Sequence, residues 1–344
     1  FTNHTFFIQY FKRLHFPSTI AENLQRPRKA SLFFVPIGRA TILHLCGLIQ
    51  HMATILVTGG TGMIGKALTK ALVKLGHHFI ILSRQKRDSS EKNISYAQWD
   101  VNAQTIDSSA IQQADYMVHL AGAGVADSRW TEARKKEIRE SRTKSGALLA
   151  NTLQGMPHNV KAVVSASAIG WYGADPAIPN TQPFTEEAPA DAGFLGQTCL
   201  QWEQSIAPVA KLTRLVTYRI GIVLSNEGGA YKEFKKPMQF GAATIMGSGK
   251  QIISWIHVDD LVRLFLFAIE NKNVHGVYNA VTPHPVSNKT LVMQMAKNKS
   301  VAIPVHVPAL GLKVTLGEMS IEVLKSATVS SQKIEAAGFT FQYP

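Results

Sequence analysis

The sequence predicts an α/β fold, a doubly wound parallel sheet followed by a smaller C-terminal α+β lobe. Three observations predict it. Short apolar runs without strict alternation recur at Thr54 to Thr58, Tyr116 to Leu120 and Val160 to Ser165, as buried parallel strands do. Helical runs separate them, and alternating β and α segments give a parallel sheet with helices on both faces. From Ser225 the alternation loosens, and Gly228-Gly229, Gly241 and Gly247-Ser248-Gly249 punctuate a less regular region.

The organising stretch is Thr54 to Arg84, TILVTGGTGMIGKALTKALVKLGHHFIILSR. A β-branched run, Thr54 to Thr58, meets Gly59, Gly60, Gly62 and Gly65. A helical run with Ile64, Ala67, Leu68, Ala71, Leu72 and Leu75 on its apolar face follows. Gly76 ends it and a second strand, Phe79 to Leu82, begins. Strand, glycine-rich turn, helix and strand within about 30 residues make a dinucleotide-binding βαβ unit. Gly59 permits a tight exit from the strand, and Gly62 lets backbone approach a pyrophosphate. Gly65 lets the helix pack close. Free N–H groups and the positive dipole end of the helix then face phosphate. Gly59, Gly62, Met63, Ile64 and Gly65 are therefore candidate cofactor-binding residues. The second strand ends in Ser83 and Arg84 where an NAD site usually carries an acid. A hydroxyl and a cation suit a 2′-phosphate, so NADP (NADPH) is favoured over NAD.

The remaining elements follow in order. Ile94 to Trp99 is a third strand closing on Asp100, an acid within reach of an adenine amino group or simply a loop residue. Ser108 to Gln113 is a short helix. Tyr116 to Leu120 ends in Ala121-Gly122-Ala123-Gly124, small residues against which a ligand can lie. Trp130 to Leu153 is a long helix, charged in its first half. Val160 to Ser165 runs into SASAIGWYG (Ser165 to Gly173), which puts hydroxyls at the carboxyl end of a central strand, where chemistry belongs in such a sheet. Phe194 to Val209 is a helix and Arg214 to Val223 a strand. Ile253 to His257 is a strand, Val258 to Glu270 a helix capped by Asp259, and Val277 to Ala280 a strand. Ser287 to Lys297 and Pro308 to Gly317 are helices.

Composition limits the function classes. The 344 residues suffice for a sizeable core, and 45% hydrophobic content is that of a soluble globular protein. The net charge of +13 is spread along the chain with no long basic run, which argues against nucleic acid and for anionic small molecules at most. Cys46 and Cys199 form no disulfide framework, and the 12 histidines form no ligand cluster, so a reducing, cytoplasmic setting without a metal is expected. Residues 1 to 51 read as a basic leader, poorly ordered and outside the fold, with Met52 as the true start. Its longest apolar piece, Ala40 to Ile49, is too short to span a bilayer. Residues 52 to 224 then form the nucleotide-binding domain. Residues 225 to 344 form mainly the substrate lobe, with some segments returning to the sheet.

Taken together, TGGTGMIG, HLAG (His119 to Gly122), Arg129-Trp130, Ser141-Arg142, SASAIGWYG, RIGIVL (Arg219 to Leu224) and GSGKQIISWIHVDDL (Gly247 to Leu261) resemble extended short-chain dehydrogenases/reductases. The resemblance is to the sugar-nucleotide-epimerase-like branch and covers Ala53 to Pro344. It implies an NADP-binding Rossmann domain and a small C-terminal substrate lobe. Cofactor contacts are implied at Ser83, Arg84, Leu120, Ala121, Gly122, Glu137, Arg142 and Val223. It also implies a final short helix beyond Pro344. The implied function is an NAD(P)-dependent epimerase or oxidoreductase acting on a nucleotide sugar or related carbonyl or hydroxyl compound. The substrate itself is unknown, no membrane or nucleic-acid partner is expected, and a homodimer stays open.

The chain departs from the wider superfamily at the acid/base. Active members use Ser, Tyr and Lys, the last two as YxxxK. Ser167 fits the Ser position, but Ala174 to Ala210 contains neither Tyr nor Lys. Tyr172, five residues after Ser167, is the candidate replacement, against substrate packing or core burial as its ordinary role. Cys199 reads as a buried small residue rather than a nucleophile. The alternative to an enzyme is a non-catalytic NADP(H)-binding sensor or interaction module.

Overall fold

The first strand, β1 (Thr54–Thr58), turns Ile55 and Val57 to one face of the sheet and Leu56 to the other, and all three are fully buried. On the first face they meet Leu68 and Leu72 of α1 (Met63–Val73). Leu56 instead joins Ile80 and Leu82 of β2 (His78–Ser83) in a separate cluster on the opposite face. A strand apolar on both sides needs helices on both sides, and that requirement builds the three-layer architecture. The computed structural model describes residues 52–297 and 303–344, and residues 53–344 form one compact unit. The expectations for the 1–51 leader lie outside the described residues.

After β2 come β3 (Ile94–Asp100), β4 (Thr105–Ile106), α2 (Ser108–Gln113), β5 (Tyr116–His119), α3 (Glu132–Gly155), β6 (Ala162–Ala168), α4 (Phe194–Ile206) and β7 (Arg214–Ile220). The chain continues through β8 (Ile222–Leu224), α5 (Gly229–Met238), β9 (Ala242–Met246), β10 (Ile252–Ile253), β11 (Trp255–His257), α6 (Val258–Glu270) and β12 (Gly276–Ala280). It ends with β13 (Val286–Ser287), α7 (Asn288–Ala296), β14 (Ile303–Val307), α8 (Ala309–Leu316), α9 (Ser320–Leu324) and α10 (Gln332–Ala336).

The main sheet has the order β12-β7-β6-β5-β1-β2-β3-β4, parallel throughout except for the antiparallel β3–β4 pair. β1 pairs with β2 on one side and β5 on the other, so the strand order reverses between β1 and β5. That reversal opens a crevice beyond the carboxyl ends of these two strands.

Two expected strands divide. Arg214 to Val223 breaks at Gly221, where a Cβ would lie 2.8 Å from the Ser254 carbonyl oxygen. β8 leaves the main sheet there and pairs with β11. Ile253 to His257 splits into β10, which pairs with β13, and β11. Apolar runs mark extended chain but carry no information about a change of partner. The C-terminal region supplies the parallel β9–β14 pair and helices α5, α7, α8 and α9. It also returns two pieces to the first half. β12 joins the edge of the main sheet, and Phe265 of α6 enters the cluster holding Ile55 and Leu68.

Candidate functional site

The crevice is walled by backbone. Gly59 has φ +69, and a Cβ on it would sit 2.8 Å from the carbonyl carbon and oxygen of Leu120. The two strand ends therefore touch without side chains between them. Gly65 would put a Cβ 2.4 Å from the Gly59 carbonyl oxygen, so its absent side chain serves the turn itself rather than the packing of helix on sheet. A Cβ on Gly62 would meet only the Gly59 oxygen, at 3.3 Å, and otherwise open space. α1 starts at Gly62 with no side-chain cap and no acid in its first turn, which leaves its first N–H groups for an anion. Met63 packs near Gly228 and Gly229 at the start of α5, and Ile64 packs against the core beside Leu68.

A buried polar chain braces the β5 side. Thr58 Oγ1 accepts from the N–H groups of Leu120 (3.0 Å) and Ala121 (3.1 Å) and lies 2.8 Å from His119 Nδ1. With both lone pairs used, the Thr58 hydroxyl must donate to Nδ1, which places the ring proton on Nε2, facing Ser145 Oγ at 3.4 Å. His119 is fully buried, and burial, with Arg142 nearby, lowers its pKa to about 4. Arg142, from α3, donates through Nη1 to the carbonyls of Ala123 and Ile138, both at 2.9 Å, and its guanidinium lies 5.0 Å from the Trp202 ring centroid. A Cβ on Gly122 would come within 3.0 Å of the Arg142 Cζ, so Gly122 and Arg142 need each other's shape.

Ser83 and Arg84 stand at the end of β2. The Ser83 hydroxyl accepts from the Gln85 N–H at 3.3 Å. Arg84 is exposed and makes no hydrogen bond or ion pair among the described residues. Asp100 accepts from Asn102 and Ala103 N–H groups in a turn, the ordinary fate of a loop acid. Val223 lies in β8 against Ile256. Glu137 is exposed and paired with Arg134 at 2.6 Å, and Arg134 also holds the Gly124 carbonyl and Asp127.

Ser167 and Tyr172 meet in a buried polar network. Ser167 Oγ donates to Glu203 Oε1 at 2.7 Å. Glu203 pairs with Arg219 through both oxygens, at 2.9 and 3.0 Å. Arg219 Nη1 reaches the Tyr172 hydroxyl at 3.1 Å, and that hydroxyl donates to Asn279 Oδ1 at 2.6 Å. Tyr172 is 1% exposed, and burial pushes its pKa up to about 12 despite Arg219. Its ring stacks on Phe184 at 5.3 Å. A phenol so placed holds its proton and faces protein on every side. The Ser167 proton is likewise committed to a carboxylate, which accepts only. Cys199 is buried, with its thiol pushed up to about 12 by burial, which makes it inert. Glu203 and Asn279 carry no local sequence signal, and Arg219 was visible only as the first residue of RIGIVL; the pairing reveals their shared role.

The helix cap at α6 differs from expectation. His257, not Asp259, is the cap residue, with Nδ1 accepting from the Asp259 N–H at 3.2 Å. The buried acid of this motif is Asp260, which receives the N–H groups of Gln342 and Tyr343. No group of three or more His, Cys, Asp or Glu among the described residues is placed to hold a metal ion. No described helix is long and apolar enough to cross a membrane.

A parallel sheet whose order reverses at a glycine-lined crevice defines a Rossmann-type α/β protein. The profile of the NAD dependent epimerase/dehydratase family matches residues 55–193 and 212–280, and a domain of unknown function, DUF1731, matches residues 307–344. An epimerase family protein of Staphylococcus saprophyticus is 37% identical over 290 residues, covering 84% of this chain and 95% of that one. The crystal structure of human epimerase family protein SDR39U1 (isoform 2) with NADPH superposes with a TM-score of 0.75 at 28% identity, covering 85% of this chain and 95% of that one. A nucleoside-diphosphate sugar epimerase from Corynebacterium glutamicum gives 0.67 at 30% identity, covering 85% of this chain and 56% of that one. The chain belongs to the NAD-dependent epimerase/dehydratase family, among the epimerase-like extended short-chain dehydrogenases/reductases.

Proposed function

We propose that this protein binds NADP(H) in the crevice between β1 and β5. The observation that carries the reading is the pairing of bare backbone at Gly59 and Gly62 with an uncommitted cation, Arg84, at the end of the neighbouring strand. The Gly62 turn and the uncapped start of α1, at Met63 and Ile64, would take the pyrophosphate. Ser83 and Arg84 would take the 2′-phosphate, and the Leu120–Ala121–Gly122 backbone, braced by Thr58 and Arg142, would flank the ribose. Val223, and Glu137 through Arg134, would support the same site. The NADPH named for the human relative favours this cofactor over NAD. Bound NADP(H) supplies hydride chemistry, while the chain supplies position and charge.

The network around Ser167 and Tyr172 favours binding without the Ser–Tyr–Lys proton relay, as in a sensor or interaction module. A second reading, an NAD(P)-dependent epimerase or oxidoreductase acting on a nucleotide sugar or related carbonyl or hydroxyl compound, is favoured by family membership. Titration calorimetry with NADPH and NADH tests the first claim. NADPH is expected to bind more tightly, and Arg84→Asp to lose at least about tenfold of that affinity, the size of one charge-assisted contact. Unchanged affinity in Arg84→Asp overturns the cofactor assignment. A substrate-dependent change in nicotinamide absorbance, oxidation of NADPH by a ketone or nucleotide sugar or reduction of NADP by an alcohol or nucleotide sugar, decides for the enzyme.

A further inference from the structure

A parallel sheet is apolar on both faces and is ordinarily covered by helices on both. β7 turns Val216 and Tyr218 to the face covered by α6 and α10, where they share a core with Phe265 and Ile334. By strand alternation Leu215, Thr217 and Arg219 face the other way, toward α4. Among the described residues α4 is the last helix on that side, because the chain leaves β7 for the C-terminal lobe and returns to the sheet only at β12. Beyond α4 the face of β7 and β12 stays open, and a cavity of about 550 Å³ remains there. That volume lies within the range of small-molecule pockets, roughly 300–1,000 Å³. The lining comes from α4 and the turn after it, from β7, and from His275 to Val277 at the start of β12. The cavity thus runs along a sheet face toward the amino ends of β7 and β12, away from the crevice at the carboxyl ends of β1 and β5.

Its walls are apolar and one end is polar. Trp171, Leu200, Ala207, Leu215 and Val277 supply the apolar surface. Thr217 stands at the polar end, 4% exposed, and its hydroxyl makes no hydrogen bond among the described residues. Buried polar groups are ordinarily paired, so an orphan hydroxyl lining an apolar cavity points to a ligand. Glu203 lines the same cavity. Its Oε1 takes Ser167 and Arg219 Nε, while Oε2 takes only Arg219 Nη2, which leaves an acceptor position on Oε2.

We infer that this cavity binds a small uncharged molecule with an apolar body and a hydroxyl or amide N–H at one end. The body lies between α4 and the sheet, and the donor meets Thr217 Oγ1 and the open position on Glu203. An anion is repelled by the Glu203 carboxylate, and a cation finds that carboxylate already paired with Arg219. The inference is independent of the NADP(H) reading, since the cavity shares no residue with the crevice.

The test is titration calorimetry on the full chain, with and without NADPH, using three probes. These are 2-naphthol, 2-methoxynaphthalene, which has the same body with its donor capped, and the anion 2-naphthoate. Saturable binding of 2-naphthol is expected, at least about threefold tighter than 2-methoxynaphthalene, the ratio one neutral hydrogen bond supports, with 2-naphthoate weaker still. Thr217→Val keeps the shape, removes the hydroxyl and should bring the first two probes within about twofold of each other. Ala207→Trp and Gln204→Trp, both at exposed positions, should fill the cavity and abolish binding with the thermal midpoint unchanged. The inference is overturned by the absence of saturable binding, by equal wild-type affinity for 2-naphthol and 2-methoxynaphthalene, or by binding that survives both cavity-filling variants. A wild-type dimer in sedimentation that either of those variants splits into protomers would put a second copy in the cavity and overturn it as well.

Discussion

His119 is a residue whose chemistry is fixed by where it is buried. Its pKa lies near 4 in the folded protein and near the ordinary 6.5 when unfolded. Between those values the unfolded chain binds a proton that the native chain refuses. Stability is therefore complete above pH 6.5 and falls as pH drops toward 4, by an amount on the order of 3 kcal/mol across the window. Urea unfolding at several pH values should show this slope, and His119→Gln should flatten it. An identical slope in the variant would remove His119 as its source. The sequence presents His119 within HLAG, yet nothing in that motif says that the imidazole is neutral. That follows from its burial, with Arg142 beside it, and Thr58, 61 residues away, spends its only proton on Nδ1. Gly59 and Gly65 are the opposite case, because their spacing alone announces a turn that excludes side chains.

At the scale of elements, α4 explains why an acid/base pair sought by motif is missing. Its inward face carries Gly196, Thr198, Cys199 and Trp202, all buried, and its one carboxylate near β6 is Glu203. Glu203 binds Arg219 and Ser167 together, which turns α4 into a brace for the end of β6. Glu203→Gln should destabilise the fold by about 3–5 kcal/mol, because it leaves the Arg219 guanidinium buried without its counter-charge. Ser167→Ala should cost less, about 1.5–3 kcal/mol, the net worth of one hydrogen bond to a charged group, with NADPH affinity preserved. Urea unfolding and calorimetry on the two variants check this order. A collapse of cofactor affinity in Ser167→Ala would return that hydroxyl to the site. The long helix α3 shows what periodicity does convey. Its charged first half was legible as a surface, but the use of Arg134 to tie down the preceding loop was not, since a charge on an exposed face has many partners to choose from.

At the scale of the whole molecule, the chain closes on itself through Asp260. This carboxylate is fully buried and accepts from the N–H groups of Gln342 (3.0 Å) and Tyr343 (2.8 Å) and from Arg263 Nη1 (2.6 Å). Tyr343 stacks on His257 at 3.9 Å, so the last residues cover the start of α6. Asp260→Ala should destabilise the protein by about 3 kcal/mol through the orphaned donors. It should also speed hydrogen exchange at Gln342 and Tyr343 ahead of the β1 and β5 amides. Uniform exchange across both regions would show that the anchor is not local. The paired acids of WIHVDDL were visible as a motif, but which of them is buried depended on the return of residues 342–343.

What the sequence determined by itself is the parallel sheet and the glycine turn at its first crossover, because both are written in spacings of a few residues that steric rules convert directly into backbone. Only the tertiary structure decided what the hydroxyls do. Ser167 finds its acceptor 36 residues on and Tyr172 finds its own 107 residues on. A proton's destination depends on the nearest acceptor in space, and chain order does not encode that distance.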